Sequence, residues 1–202
     1  MRIWSSRRPI GVLAVVDDLR RGGGDPTFRR DPAGARWRGI RTPHGPSTLR
    51  LGPGPDASSI EATAWGPGAE WVLDSVPDML GERDDVTGFV AHHPLVAAAA
   101  RRFSGWRVPR TGLVLEALVP SIIEQKVTGR EAFGSCRALI HRYGERAPGE
   151  GGARGLWVAP SAATWARIPS WEWLRAGVDP ARSGTAVRAA HAAGRLEQCV
   201  DL

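Results

Sequence analysis

The stretch LEALVPSIIEQKVTGREAFGSCRALIHRYG, Leu115 to Gly144, constrains what this chain can fold into more than any other. Leu115, Leu118, Val119, Ile122 and Ile123 recur at i, i+3, i+4, i+7 and i+8, a single apolar face of an α-helix. Pro120 lies inside it, where a missing N–H should kink the helix or cost it one hydrogen bond. A second helix starts at once. Thr128 and Glu131 have the spacing of a capping box, in which hydroxyl and carboxylate each satisfy an orphan amide. Ala132, Phe133, Cys136, Leu139, Ile140 and Tyr143 continue an apolar face, and Gly144 is placed as a left-handed stop. Gln125, Lys126 and Val127 are therefore a tight connection between two antiparallel or steeply crossed helices, with Lys126 at the tip. Lys126 is the chain's single lysine; the rest of its 27 Lys and Arg are arginine.

The segments on either side differ in character. Up to about residue 91 the chain reads as strand-rich: Asp31-Pro32-Ala33-Gly34 is a turn before alternation through Trp37 and Ile40, and HGPSTLRLGP and SIEATAW supply further short strands. AEWVLDSVPDML is a short helix containing or broken at Pro77, and GERDDVTG is a polar connector. From His92 onward helices dominate. HPLVAAAARRF has Pro94 near its first turn. Beyond a Gly/Pro-rich loop, Ser161 and Ser170 are placed to cap two short helices, and Asp179 before Pro180 caps a third that runs through Arg182, Val187 and Ala190.

Composition narrows the classes. A chain of 202 residues with 42% hydrophobic content can bury a sizeable core. The net charge of +6 permits a polyanionic partner and is equally met by a solvated basic surface. Arginine dominance beside abundant Ala, Gly and Pro also reflects GC-rich coding. The two cysteines, Cys136 and Cys199, are far apart, which fits a reducing compartment without a disulfide framework or zinc site. His92-His93 point in different directions on any regular element and have no third ligand nearby, so no metal and no cofactor are expected. Arg7-Arg8 before an apolar run imitate a twin-arginine export signal, but the run Pro9 to Val16 is cut off by Asp17 and Asp18. It reads as a buried β-strand. No segment approaches the ~18 apolar residues of a membrane span, and a cytoplasmic protein is expected.

LEALVPSIIEQKVTGREA resembles the first core helix, glutamine-containing loop and second core helix of the helix-hairpin-helix DNA glycosylase superfamily. IPSWEWLRAGVDPARSGTAVRAAHAAGRLE is similar to the helices that lead towards the family's hairpin. LRRGGGDPTFRRDPAGARWRGIRTPHGPSTLRL looks like the β-rich N-terminal part of its alkylpurine (3-methyladenine-type) branch. The resemblance implies an α+β chain: a β-rich domain over residues 1–91, a small antiparallel sheet with a helix, then the first part of an all-α glycosylase domain over 92–202. It implies a monomer, nucleoid-associated, whose partner is double-stranded DNA containing alkylated bases. Gln125, Lys126, Val127, Thr128 and Gly129 would be the DNA-binding residues, Gln125 touching base edges and Lys126 in the wedge position that fills the gap left by an extruded nucleotide. Relatives often place an apolar residue there. A lysine can lay its methylene stem in the gap and offer its ammonium to phosphate; a solvated lysine on a helix corner is the competing reading.

The family's chemistry assigns charge stabilisation at the sugar to an aspartate beyond a Gly-rich hairpin of the form L-P-G-[apolar]-G-x-[aromatic]. APGEGGARG is the nearest imitation, with Glu150 where the apolar residue belongs. Asp179 precedes Pro180 as a helix cap rather than as a catalytic group. The expectation is a chain that stops short of the hairpin, with the catalytic aspartate beyond Leu202, so that these residues alone would not cleave a glycosidic bond. Among nine tryptophans, Trp171 and Trp173 are the candidates for a base pocket, and core packing is the alternative for each. The competing function is a non-catalytic DNA-binding or regulatory module that kept the helical corner.

Overall fold

The computed structural model describes residues 1–5, 12–56 and 59–201. Arg7, Arg8, the first residues of the apolar run from Pro9, and Leu202 lie outside the described residues.

The chain opens with β1 (Arg2–Ser5), α1 (Val12–Asp17), β2 (Phe28–Arg30), β3 (Arg36–Thr42), β4 (Gly45–Pro53) and β5 (Ser59–Trp65). The strands form one antiparallel sheet in the order β1-β5-β4-β3-β2. The β2–β3 turn is the one read from the sequence: Asp31 accepts from the Ala35 amide at 2.9 Å, and Gly34 sits at φ +86°. The expected strand ending at Val16 is instead helix α1 over its described part. Val15 and Val16 are adjacent and both fully buried, which a strand buried on both faces and a short buried helix satisfy equally well. Asp17, at its end, binds Arg30 and Arg36 of the sheet at 2.8 and 2.7 Å.

Helices α2 (Ala69–Asp74) and α3 (Val76–Met79) are separated at Ser75, just before Pro77, as anticipated. They cover one sheet face, packing Val72, Val76, Met79 and Leu80 on Ile40, Leu49, Leu51 and Ile60. α4 (Pro94–Arg102) has Pro94 in its first turn, and His93 Nδ1 accepts from the Leu95 amide; none of its residues is buried.

The helical layer contains α5 (Val114–Ile123), α6 (Gly129–Tyr143), and, after an excursion, α8 (Ala162–Arg167), α9 (Ser170–Arg175), α10 (Pro180–His191) and α11 (Ala193–Glu197). Its core joins Val119, Ile123, Leu139, Trp165, Trp173, Val178 and Ala186. Ser161 caps α8 and Asp179 caps α10, both as read; Ser170 does not cap α9, because Pro169 occupies the N-cap and Ser170 is already helical. Val187 and Leu196 are half-buried.

The excursion comprises β6 (Glu145–Arg146), α7 (Glu150–Ala153) and β7 (Trp157–Val158), with β6 and β7 paired. It packs back on the sheet, where Ala147, Leu156 and Val158 meet Trp37. Approach is close enough that a Cβ on Gly39 would fall 2.1 Å from the Trp157 carbonyl oxygen. The expected left-handed stop at Gly144 is not what ends α6: Gly144 is extended, with φ −78° and ψ −171°. Glycine is needed there for room, since a Cβ would meet the Val158 and Ile140 carbonyls at 2.4 and 2.5 Å.

Candidate nucleic-acid interface

The α5–α6 corner has the geometry its sequence implies. Thr128 Oγ1 accepts from the Glu131 amide and Glu131 Oε2 accepts from the Thr128 amide at 2.9 Å, the complete capping box. The Glu131 carboxyl is held below its ordinary range, chiefly by that backbone hydrogen bond. Gln125, Lys126, Thr128 and Gly129 are exposed, and Val127 is half-buried. Lys126 carries the only positive φ of a non-glycine residue among the described residues, +58°. A side chain in the left-handed region costs about 1–2 kcal/mol, so the surroundings must over-determine the turn.

Two arginines do so. Arg182, on the first turn of α10, donates to the Ile123 carbonyl oxygen at 2.6 Å, satisfying an acceptor left open at the C-terminus of α5. The same guanidinium pairs with Asp179 at 2.6 Å and reaches the Gly177 carbonyl at 3.2 Å. Asp179 accepts from the Ala181 and Arg182 amides, and these bonds together with the Arg182 guanidinium lower its pKa. On the other side, Arg21, beyond α1, pairs with Glu124 at 3.0 Å. The tip is thus anchored at the residue that ends α5 and at its C-cap, from α10 and from the segment leading into the sheet.

The far end of α5 is anchored too. Glu197 of α11 accepts from the Val114 and Leu115 amides at 2.7 and 2.9 Å, a capping carboxylate supplied from 80-odd residues away. Neither brace nor cap was identifiable from local pattern, because each joins residues remote in sequence.

Beside the corner a cavity of about 310 Å³ opens between the segment joining α1 to β2, strand β3 and helices α5 and α6, lined among others by Arg21, Arg38, Glu116, Pro120, Phe133 and Cys136. Arg38 is buried and ion-paired with Glu116. Burial pushes the Cys136 thiol up to about 12, so it is a packing residue rather than a nucleophile.

The other candidates separate. Trp173 is 1% exposed and stacks on Trp165 with ring centroids 5.6 Å apart, so it is a core residue and not a pocket wall. Trp171 is 63% exposed on α9. APGEGGARG forms α7 and its flanks and lies on the sheet: Thr48 donates to the Pro148 carbonyl at 2.7 Å, and a Cβ on Gly151 would strike Thr48. That placement explains Pro148, Gly149 and Gly151 by packing. Among the described residues no group of three or more His, Cys, Asp or Glu could hold a metal, and no helix is long and apolar enough to cross a membrane.

No protein-family model matches the chain, and no curated protein matches it. Solved structures do. The chain superposes on a 3-methyladenine DNA glycosylase from Archaeoglobus fulgidus with a TM-score of 0.73 at 16% identity, covering 94% of this chain and 66% of that one. It superposes on an 8-oxoguanine glycosylase/lyase from Clostridium acetobutylicum in complex with double-stranded DNA with a TM-score of 0.65 at 11% identity, covering 95% of this chain and 64% of that one. The chain shares its fold with these DNA glycosylase structures. The likeness to the 3-methyladenine glycosylase exceeds that to the 8-oxoguanine glycosylase/lyase. The chain spans just under two thirds of the length of both.

Proposed function

We propose that the protein is a DNA glycosylase of base excision repair acting on alkylated purines in duplex DNA, and that the Gln125–Gly129 corner is its probe of the minor groove. The observation that carries this reading is Lys126: the one lysine of the chain, exposed at a helix corner in left-handed geometry, with arginine anchors on both sides. A corner that served only to reverse the chain would be relieved of strain by glycine. Retaining a long cationic side chain there supports a task at a polyanion.

Exposing a base costs a few kcal/mol of lost pairing and stacking. A lysine stem inserted where the nucleotide was recovers part of this by refilling the stack, while its ammonium meets phosphate or a base acceptor. Gln125 beside it offers amide donors and an acceptor to base edges. Excision itself breaks the bond from C1′ to the purine nitrogen, the base leaving with the electron pair while water oxygen bonds C1′ and gives up a proton to the assisting carboxylate or to solvent. A ring-alkylated, cationic purine is already a good leaving group. In the reading proposed, this step is assisted by an aspartate outside these residues, in a full-length monofunctional enzyme at work on cytoplasmic, nucleoid DNA.

A second reading is favoured by one specific observation: every carboxylate whose side chain is described is already engaged by an arginine, an amide or another polar group. Asp179 is a cap and a salt-bridge partner. We therefore propose that these residues by themselves capture DNA without cleaving it, as a module that binds.

Binding of fluorescent duplexes with and without an abasic site tests the first reading. Lys126→Ala should weaken capture of the abasic duplex more than that of intact duplex, and equal losses would reduce Lys126 to a general phosphate contact. Incubation with alkylated DNA tests the second: free base released by the isolated chain would place a catalytic group within it.

A further inference from the structure

Twelve of the twenty-four arginines with described side chains pair with a carboxylate, and several of those that do not gather along one strip. On α6, Arg130, Arg137 and His141 fall at i, i+7 and i+11, a single stripe of the helix, and all three are exposed. Gly134, between them at i+4, has nothing within 4 Å of where a Cβ would stand, so the stripe is sterically open. The carboxylates near it in sequence are taken: Glu131 by the cap, Glu145 by Arg41, Glu150 by Arg154, and Glu172 by Arg142 and Arg175. Arg130, Arg137 and Arg146 thus have no carboxylate partner among the described residues.

At its inner end the stripe meets the β-layer. Arg146 lies over the Trp157 ring at 4.6 Å, and that ring is 5.2 Å from the His141 ring. Arg29 spends its Nη1 on the Asp25 and Phe28 carbonyls at 2.7 and 2.9 Å, which orients the guanidinium without cancelling its charge. The Arg137 guanidinium stands over Gly24 so closely that a Cβ there would fall 2.0 Å from its Nη1. The positive field of this group is visible at His141, whose pKa is lowered by burial and by Arg137, Arg146 and Arg29. Eleven residues of helix at about 1.5 Å each give roughly 16 Å from Arg130 to His141, close to five base-pair steps of about 3.4 Å along one strand.

We propose that Arg130, Arg137, Arg146 and Arg29 form a second contact for duplex DNA, a track that takes the sugar-phosphate backbone of the flanking duplex from the α5–α6 corner towards the β-layer. Its partner is the phosphate backbone, so the track reads no sequence; it adds affinity and holds the duplex in register on the corner. The inference rests on the reading of the corner as a DNA probe.

The test is the salt dependence of binding of the chain to an intact fluorescent duplex. Arg137→Gln/Arg146→Gln should weaken binding and reduce the slope of log K against log salt by about 0.9 per lost phosphate contact, hence about 1.8 for the pair. Arg167→Gln/Arg195→Gln, the same change in net charge elsewhere, should leave the slope near that of the unaltered chain. If Arg146→Gln disturbs the fold through Trp157, Arg130→Gln/Arg137→Gln is the substitute, since both side chains are exposed. Duplex binding with an unchanged slope in the track variants, or an equal loss in the control pair, overturns the track while leaving the corner intact. Absence of duplex binding by the unaltered chain overturns both readings.

Discussion

Arg182 Nη1 donates to the carbonyl oxygen of Ile123 at 2.6 Å, joining the start of α10 to the end of α5 one residue before the exposed corner begins its turn. The Arg182 side chain is only 11% exposed, and Asp179 fixes its orientation from behind. Removing it strips partners from the Ile123 carbonyl and from Asp179 at once. Arg182→Met, which keeps the apolar stem, should cost about 1–3 kcal/mol in denaturant unfolding. Amide exchange at Gln125–Thr128 should accelerate in the free protein. Unaltered exchange there would mean that the corner holds its shape without α10.

Lys126 offers a separation of stability from function. Glycine adopts φ near +58° freely, so Lys126→Gly should leave the fold equal or more stable, by up to about 1 kcal/mol after glycine's entropy is counted. The same variant should lose abasic-site capture. A β-branched substitution, Lys126→Val, should destabilise instead, since that side chain disfavours the left-handed region most. Thermal unfolding of the pair beside their DNA affinities decides this.

Glu197 caps α5 across the fold, so Glu197→Ala should destabilise by about 0.5–2 kcal/mol, the range of an ordinary helix cap. Glu197→Gln should recover part of the loss, because one amide oxygen replaces two carboxylate acceptors. Equal stability of all three forms in urea would show the cap to be dispensable.

Asp31 gives the fold an acid-sensitive limb. Its carboxylate accepts from Trp37 Nε1 at 3.0 Å, and this bond above all lowers its pKa. A carboxyl depressed in the folded state contributes stability that is present above its unfolded pKa and lost as pH falls through the folded one. Unfolding free energy measured from about pH 5 downwards should therefore fall less steeply in Asp31→Asn than in the unaltered chain.

What local pattern could convey was conveyed. The Thr128–Glu131 box, the Asp179–Pro180 start and the turn at Asp31–Gly34 each depend on residues within a few positions of one another, and the structure has all three. The strand expected through Val15 and Val16 is a helix over its described part, since a short run of buried apolar residues is compatible with either element. Gly144 was identified as a terminator for the wrong reason: its need is space beside Val158, which only the returning strand creates. The strands β6 and β7 are two residues each and owe their existence to Trp37 and Gly39 of the sheet, not to propensity. At the corner, Gln125–Gly129 were evident, whereas Arg21 and Arg182, which anchor it, became visible only when distant segments were brought together.

The returning segment has a consequence for biogenesis. Trp37 is closed off by Ala147, Leu156 and Val158, and the Trp157 amide bonds the Pro26 carbonyl at 2.9 Å. A ribosome therefore finishes β1 to β5 long before it delivers their lid. Until residues near 158 leave the exit tunnel, the nascent sheet carries an indole covered on one face only, by Trp65, and is open to non-native association. Synthesis paused between the two segments is the interval in which a chaperone would have most to hold.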